Sequence, residues 1–296
     1  MRIRHTEEVD DLRLDYHVHL EYDENQQPLS LDKNRLLRYV ERAQAAGVSE
    51  IGISEHCYRF REFAPVFQSL IEGPSVLSSV RQFFAGCFVD TLGEYVEFLL
   101  SLQDEGLPLK VGVEVDYVPG EEDLTGRILA GYPWDFVMGS VHFLGTFPID
   151  ASPTVGWPQR NVEATYQEYF ATWTKACCSG IFDTMAHPDL LKKFGHRPAS
   201  PPRTLFTAAA AAAKAAGVAV EVSSAGLRKP VGEIYPSQEL LAAFCEAGVP
   251  ITLGSDAHSV DDVGLGLTEA VQWARQAGYH TLTRFSRRSS TQELFN

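Results

Sequence analysis

Hydrophobic positions along the chain follow two alternating spacings. Seven short runs, at residues 12–19, 49–56, 109–116, 134–142, 181–187, 218–223 and 250–256, read as strands. Between them lie stretches with apolar residues three and four apart, at 31–46, 90–105, 161–178, 203–216, 237–247 and 267–277, which read as amphipathic helices. Gly47, Gly106, Gly217, Gly248 and Gly278 stand where helices would stop. Strand–helix alternation repeated about seven times predicts parallel strands with helical crossovers. Almost every strand finishes in His, Asp or Glu, which favours a closed α/β barrel with its site at the C-terminal ends of the strands.

Three segments interrupt the pattern. Residues 61–86 carry Phe63, Phe67, Phe83 and Phe84 and, with the helix that follows, predict a helical insertion over about 61–108, a lid or an interface. Residues 143–160 contain three prolines and two glycines and read as a long loop. Three prolines between 197 and 202 lead into the alanine run 208–213, a strong helix former. With neither repeat nor linker, residues 1–296 read as a single domain.

Composition narrows the function classes. A net charge of −14 without a Lys/Arg cluster argues against long nucleic acids as partners but leaves room for a small anionic substrate. No apolar run is long enough to span a bilayer, and Met1–His5 leads into charged residues rather than a signal core, so neither membrane nor export is expected. Five cysteines without a CxxC pair suit a reducing cytoplasm better than a disulfide framework or a cysteine zinc site. Oligomeric state is not legible.

Six of the nine histidines, His17, His19, His56, His142, His187 and His258, stand at strand ends beside other polar residues. In a strand, residues i and i+2 face the same way, so His17 and His19 can reach one ion, with Asp15 and Glu21 on the same face. A surface pair is the ordinary reading of an isolated HxH. Here Ser54-Glu55-His56, Glu114-Val115-Asp116, Ser140-Val141-His142, Ala186-His187-Pro188-Asp189 and Ser255-Asp256-Ala257-His258 fall at equivalent positions. So many imidazoles and carboxylates exceed what one tetrahedral ion uses and predict two to three divalent ions, with Zn, Mn or Fe all fitting the donor types. Glu114 is best placed to bridge. Neither a GxSxG elbow nor a Walker loop is present, and Cys57 reads as a buried small residue rather than a nucleophile.

The ordered set DYHVH, SEH, VEVD, GSVH, AHPD and GSDAH resembles the polymerase and histidinol phosphatase (PHP) superfamily from about Asp15 to the C-terminus. The resemblance implies a distorted (β/α)7 TIM-like barrel with a trinuclear site. It further implies that His17, His19, Glu114 and Asp256 hold one ion, that Glu114, His142 and His187 hold a second, and that His56, His258 and an acidic residue after His19 hold a third. Alternation favours Glu21 for that last place; Glu24 stands at the family's usual offset. Residues 189–195 and 223–236 resemble histidinol-phosphatase-type members.

The expected activity is therefore hydrolysis of L-histidinol phosphate. Arg228, after the sixth strand, and Arg59, after the second, are candidate phosphate ligands, and Asp256 and His258 are candidates to assist the leaving group. The alternatives are a related phosphoesterase acting on nucleotides or oligonucleotides, and a metal-binding barrel without turnover.

Overall fold

The computed structural model describes residues 13–20, 30–73 and 76–295. Seven strands form one parallel sheet in sequential order: β1 (Leu14–Val18), β2 (Glu50–His56), β3 (Leu109–Asp116), β4 (Phe136–Ser140), β5 (Thr184–Met185), β6 (Ala219–Ser223) and β7 (Ile251–Gly254). The sheet curls until its edges meet. His19 N donates to Ala257 O at 2.8 Å and Ala257 N donates to His17 O at 3.2 Å, so a single bridge, Val18 to Ala257, closes the barrel.

Helices cover the outside: α1 (Lys33–Ala45), α2 (Gln68–Glu72), α3 (Ser78–Phe84), α4 (Leu92–Asp104), α5 (Glu122–Leu129), α6 (Val162–Cys178), α7 (Arg203–Ala216), α8 (Gln238–Glu246) and α9 (Leu267–Gln276). Local chemistry sets several ends. Asp32, Thr91 and Asn161 cap the N-termini of α1, α4 and α6 with their side-chain oxygens, and Gly217 ends α7 in the left-handed conformation. No helix among the described residues is long and apolar enough to cross a membrane.

The barrel interior is divided along its axis. At the N-terminal end Tyr16 of β1 reaches Phe136 of β4 at 5.1 Å between ring centroids, and Phe285 joins both rings. Glycine makes the room: a Cβ on Gly112 would lie 2.2 Å from Phe136 Cζ. Glu50, bonded to Tyr16 Oη and paired with Arg284, lies beside the same layer. Phe285 comes from a C-terminal hairpin, β8 (Thr281–Ser286) with β9 (Ser289–Leu294), that covers this end of the barrel. At the C-terminal end of the strands the interior is polar.

Most predicted elements appear within one to three residues of their expected bounds. The hairpin and α5 went unpredicted. Helix α5 is short and contains Gly126, and β9 reads Ser-Ser-Thr-Gln-Glu-Leu, with no apolar face. The hairpin turns on Arg287 and Arg288, both at positive φ (50° and 60°), where asparagine or glycine would have signalled a turn. Tertiary bonds hold them there: Arg287 N donates to Asp135 Oδ1, and Arg288 binds Asp183 and Ile181 O. The 143–160 loop contains a short antiparallel ladder, Phe143–Leu144 with Phe147–Pro148, and a helical turn at Trp157–Gln159.

Candidate metal centre

Every strand except β6 delivers a histidine or acidic candidate from its own C-terminal end or the residues just beyond. Glu114 of β3 sits at the middle, 1% exposed. Its Oε2 lies 2.7 Å from His56 Nδ1, 3.6 Å from His17 Nε2 and 3.7 Å from His19 Nε2. Its Oε1 lies 3.2 Å from His187 Nε2 and 3.6 Å from His142 Nε2. Asp256 Oδ1 approaches His19 Nε2 at 3.4 Å and His17 Nε2 at 3.7 Å, and His258 Nδ1 lies 3.5 Å from it. All six predicted histidines, Glu114 and Asp256 therefore converge. Glu21 and Glu24 lie outside the described residues.

A surrounding layer of acceptors orients the imidazoles. Glu221 Oε1 binds His17 Nδ1 at 2.8 Å while its Oε2 accepts the backbone N–H of His187 at 2.7 Å. Asp116 Oδ1 binds His142 Nδ1 at 2.9 Å. Glu55, paired with Arg59, lies 3.5 Å from His19 Nδ1. Such partners turn the opposite ring nitrogen toward a shared ion. Two of the converging residues, His187 (φ 24°) and Asp256 (φ 51°), hold backbone conformations that non-glycine residues seldom adopt, a kind of strain found at functional sites.

The arrangement is chemically incomplete without cations. His17 Nε2, both ring nitrogens of His19, and both oxygens of Glu114 are buried without a hydrogen-bond partner among the described residues. Burial disfavours the charged imidazolium, yet Asp116 and Glu114 outweigh it at His142 and raise its pKa to about 10. At His17, burial is likewise outweighed, by Glu221, Asp256 and Glu114. Clustered buried carboxylates of this kind require positive charge. Three ligand groups lie close enough to hold ions: His17, His19 and Asp256; His17, Glu114 and His187; and His19, His56 and His258. The donors fit divalent metals.

The centre forms the floor of a cavity of about 530 Å³. Tyr58, Phe83, Phe143 and Leu190 supply apolar wall, Ser79, Val80 and Phe83 coming from α3. Lys193, Lys229, Asp150, Ser152 and Tyr235 supply polar wall. Lys193 Nζ donates to Asp150 O at 2.7 Å and to Asp150 Oδ2 at 2.9 Å.

Several expectations are corrected. Arg59 is 1% exposed and its guanidinium is engaged by Glu55 at 2.8 Å and Asp90 at 2.6 Å, so it stands behind the ligands and does not line the cavity. Arg228 is not among the lining residues either: Nη2 donates to Ser255 O at 2.6 Å and Asp256 O at 3.2 Å and Nε pairs with Asp262 at 3.3 Å, while Nη1 is buried without a hydrogen-bond partner among the described residues. It secures the loop that carries Asp256. Asp15, expected on the ligand face, accepts from Ser255 N, Ser255 Oγ and Gly264 N, because the β1 register shifts between Asp15 and Val18. Glu221, Lys193, Lys229 and Tyr235 were not singled out from the sequence. For Glu221 a signal existed, an acidic residue inside the buried strand Ala-Val-Glu-Val-Ser, where an unpaired charge is costly.

Parallel strands, an axial division of the interior and a histidine–carboxylate cluster at the strand C-termini define the class: a metal-centred α/β barrel. The PHP domain model matches residues 15–225, and the chain belongs to that family. A protein of Deinococcus radiodurans described as a probable histidinol-phosphatase is 37% identical over 199 residues, covering 66% of this chain and 76% of that protein. The histidinol-phosphatase of Lactococcus lactis is 26% identical over 290 residues, covering 93% and 94%. The crystal structure of histidinol phosphate phosphatase from the same organism, complexed with zinc, L-histidinol and phosphate, superposes with a TM-score of 0.72 at 22% identity over 94% of this chain and 98% of that one.

Proposed function

We propose that this chain is a metal-dependent phosphomonoesterase that hydrolyses L-histidinol phosphate to L-histidinol and phosphate. The observation that carries the reading is a cavity whose floor is the histidine–carboxylate centre and whose wall offers two lysines beside aromatic surface. That lining suits one small molecule with an anionic end and a planar end. The named relatives support the substrate: a protein described as a probable histidinol-phosphatase and a histidinol-phosphatase, matching 66% and 93% of the chain.

Two to three divalent ions, zinc, manganese or iron, would be held by His17, His19, Glu114 and Asp256, by Glu114, His142 and His187, and by His56 and His258. When bound, such ions neutralise phosphoryl charge and make water acidic enough to attack at neutral pH. The protein's own groups do the rest. Glu221, Asp116 and Glu55 hold the imidazoles in register. Lys193 and Lys229 attract the phosphate and offset its charge. Asp256, which faces the cavity and meets the histidines through Oδ1, would take up on its other oxygen the proton that the attacking water loses and return it to the leaving oxygen, with His258 beside it. Arg228 holds the backbone that carries Asp256 and keeps Nη1 for phosphate, and Arg59 positions Glu55.

A panel of phosphate esters assayed at fixed metal, with metal content measured on the same sample, tests the proposal. L-Histidinol phosphate is expected to be the preferred ester. Faster release from nucleotides would replace this substrate with the nucleotide alternative, and less than one ion per chain would return the barrel to a binding role.

A further inference from the structure

Tyr235 is 1% exposed, and its hydroxyl has no hydrogen-bond partner among the described residues. It nevertheless lines the cavity, together with His187, Asp256 and Lys229. A buried phenol usually finds a partner, because leaving the group unsatisfied costs stability.

The ring is fixed from several sides. Its backbone exchanges two hydrogen bonds with Ser223 at the end of β6, Ser223 N to Tyr235 O at 2.7 Å and Tyr235 N to Ser223 O at 3.0 Å. Lys192 Nζ lies 5.3 Å from the ring centroid and is itself held by Glu233 at 2.6 Å, Ile234 O at 2.8 Å and Asp189 at 3.1 Å. Gly226 packs behind it: a Cβ there would stand 3.0 Å from Tyr235 Cε2 and 1.9 Å from Glu233 O. On another side, the His187 ring meets it edge-on at 6.4 Å. The hydroxyl cannot swing away to a better partner, so it is a preorganised neutral donor beside the metal centre.

We propose that Tyr235 is a further catalytic residue, whose hydroxyl donates a hydrogen bond to a non-bridging phosphate oxygen of the ester. This rests on the phosphomonoesterase reading above. Tyr235 keeps its proton throughout. The phosphorus–oxygen bond to the alcohol breaks, one to water forms, and the proton released by water ends on the alcohol. The donor acts by meeting charge that builds on the phosphoryl oxygens.

The test is Tyr235→Phe, which removes only the hydroxyl, read in the metal-loaded protein by four measurements. Thermal midpoint and metal content are expected to be unchanged, or the midpoint raised, since an unsatisfied group has been deleted. Affinity for inorganic phosphate, by calorimetry, is expected to fall about tenfold, and kcat about 10²-fold. Phosphate affinity and kcat both within twofold of the parent would overturn the proposal, as would losses that track a lowered midpoint or lost metal. p-Nitrophenyl phosphate is run in parallel. If the parent protein turns over that ester but not L-histidinol phosphate, the substrate assignment fails while the Tyr235 comparison still decides its own question.

Discussion

At the scale of single residues, the candidate centre depends on side chains that do not line the cavity. Glu221 is the clearest. It reaches His17 with one oxygen and the His187 backbone with the other, so one carboxylate aligns two ligand-bearing strands. Glu221→Gln keeps the shape and loses the charge. The expected result is a 10–100-fold loss of metal affinity or activity, measured by metal titration and phosphate release. Gly254 makes Glu221's position possible, since a Cβ there would lie 1.9 Å from Glu221 Oε1 and 2.5 Å from His17 Cβ. Gly254→Ala is therefore expected to lose metal at least as severely as Glu221→Gln although it introduces no polar change. A variant with full metal content would show that Glu221 has another acceptable position.

Elements set which residues could be read in advance. The seven barrel strands were legible because all but β6 join an apolar run to a histidine or acidic terminus, a combination that random surface seldom repeats. The convergence of the candidate ligands was legible for the same reason. The arginines were not: their type and their place after a strand are compatible with phosphate, and only the atoms around each guanidinium decide. Arg59 leads from β2 into the insertion, where it joins Glu55 to Asp90. Removing it takes from the buried Glu55 its paired guanidinium and leaves the backbone N–H groups of Leu20 and His56 and the His19 ring to hold the charge. Arg59→Ala is expected to destabilise the fold by about 3–5 kcal/mol, seen in denaturant unfolding. A normal unfolding midpoint with raised KM would restore it to the substrate. Segment 223–236 was singled out for its resemblance to histidinol-phosphatase-type members and for Arg228, but the side chains it brings to the cavity wall are Lys229 and Tyr235, the latter an apolar-patterned position that reads as core.

For the whole molecule, the division of the barrel interior separates stability from chemistry. The aromatic layer of Tyr16, Phe136 and Phe285 lies at the end remote from the ligands. Phe285→Ala is expected to cost about 3–5 kcal/mol of stability while leaving kcat of the folded protein within about twofold of the parent. The polar end behaves oppositely. Its carboxylates, the buried Glu114, Asp116 and Glu221 and the partly exposed Asp256, repel one another without cations, so chelation is expected to abolish turnover and to lower the thermal midpoint, both restored by adding back zinc or manganese. A midpoint indifferent to chelator would mean that the imidazoles alone neutralise the cluster.

The seam between β1 and β7 has a consequence for how the protein comes into being. Asp15 and its partner Ser255 are 240 residues apart, and the ligands span His17 to His258. A chain still emerging from the ribosome holds His17, His19, His56 and Glu114 long before Asp256 exists. The complete set can form only once the last barrel strand has been synthesised and has docked against the first. Filling of the complete set is then expected to be a late event, since a shortened product ending before Ile251 would lack Asp256, His258 and the strand that closes the barrel, and would keep only groups such as His17, Glu114 and His187.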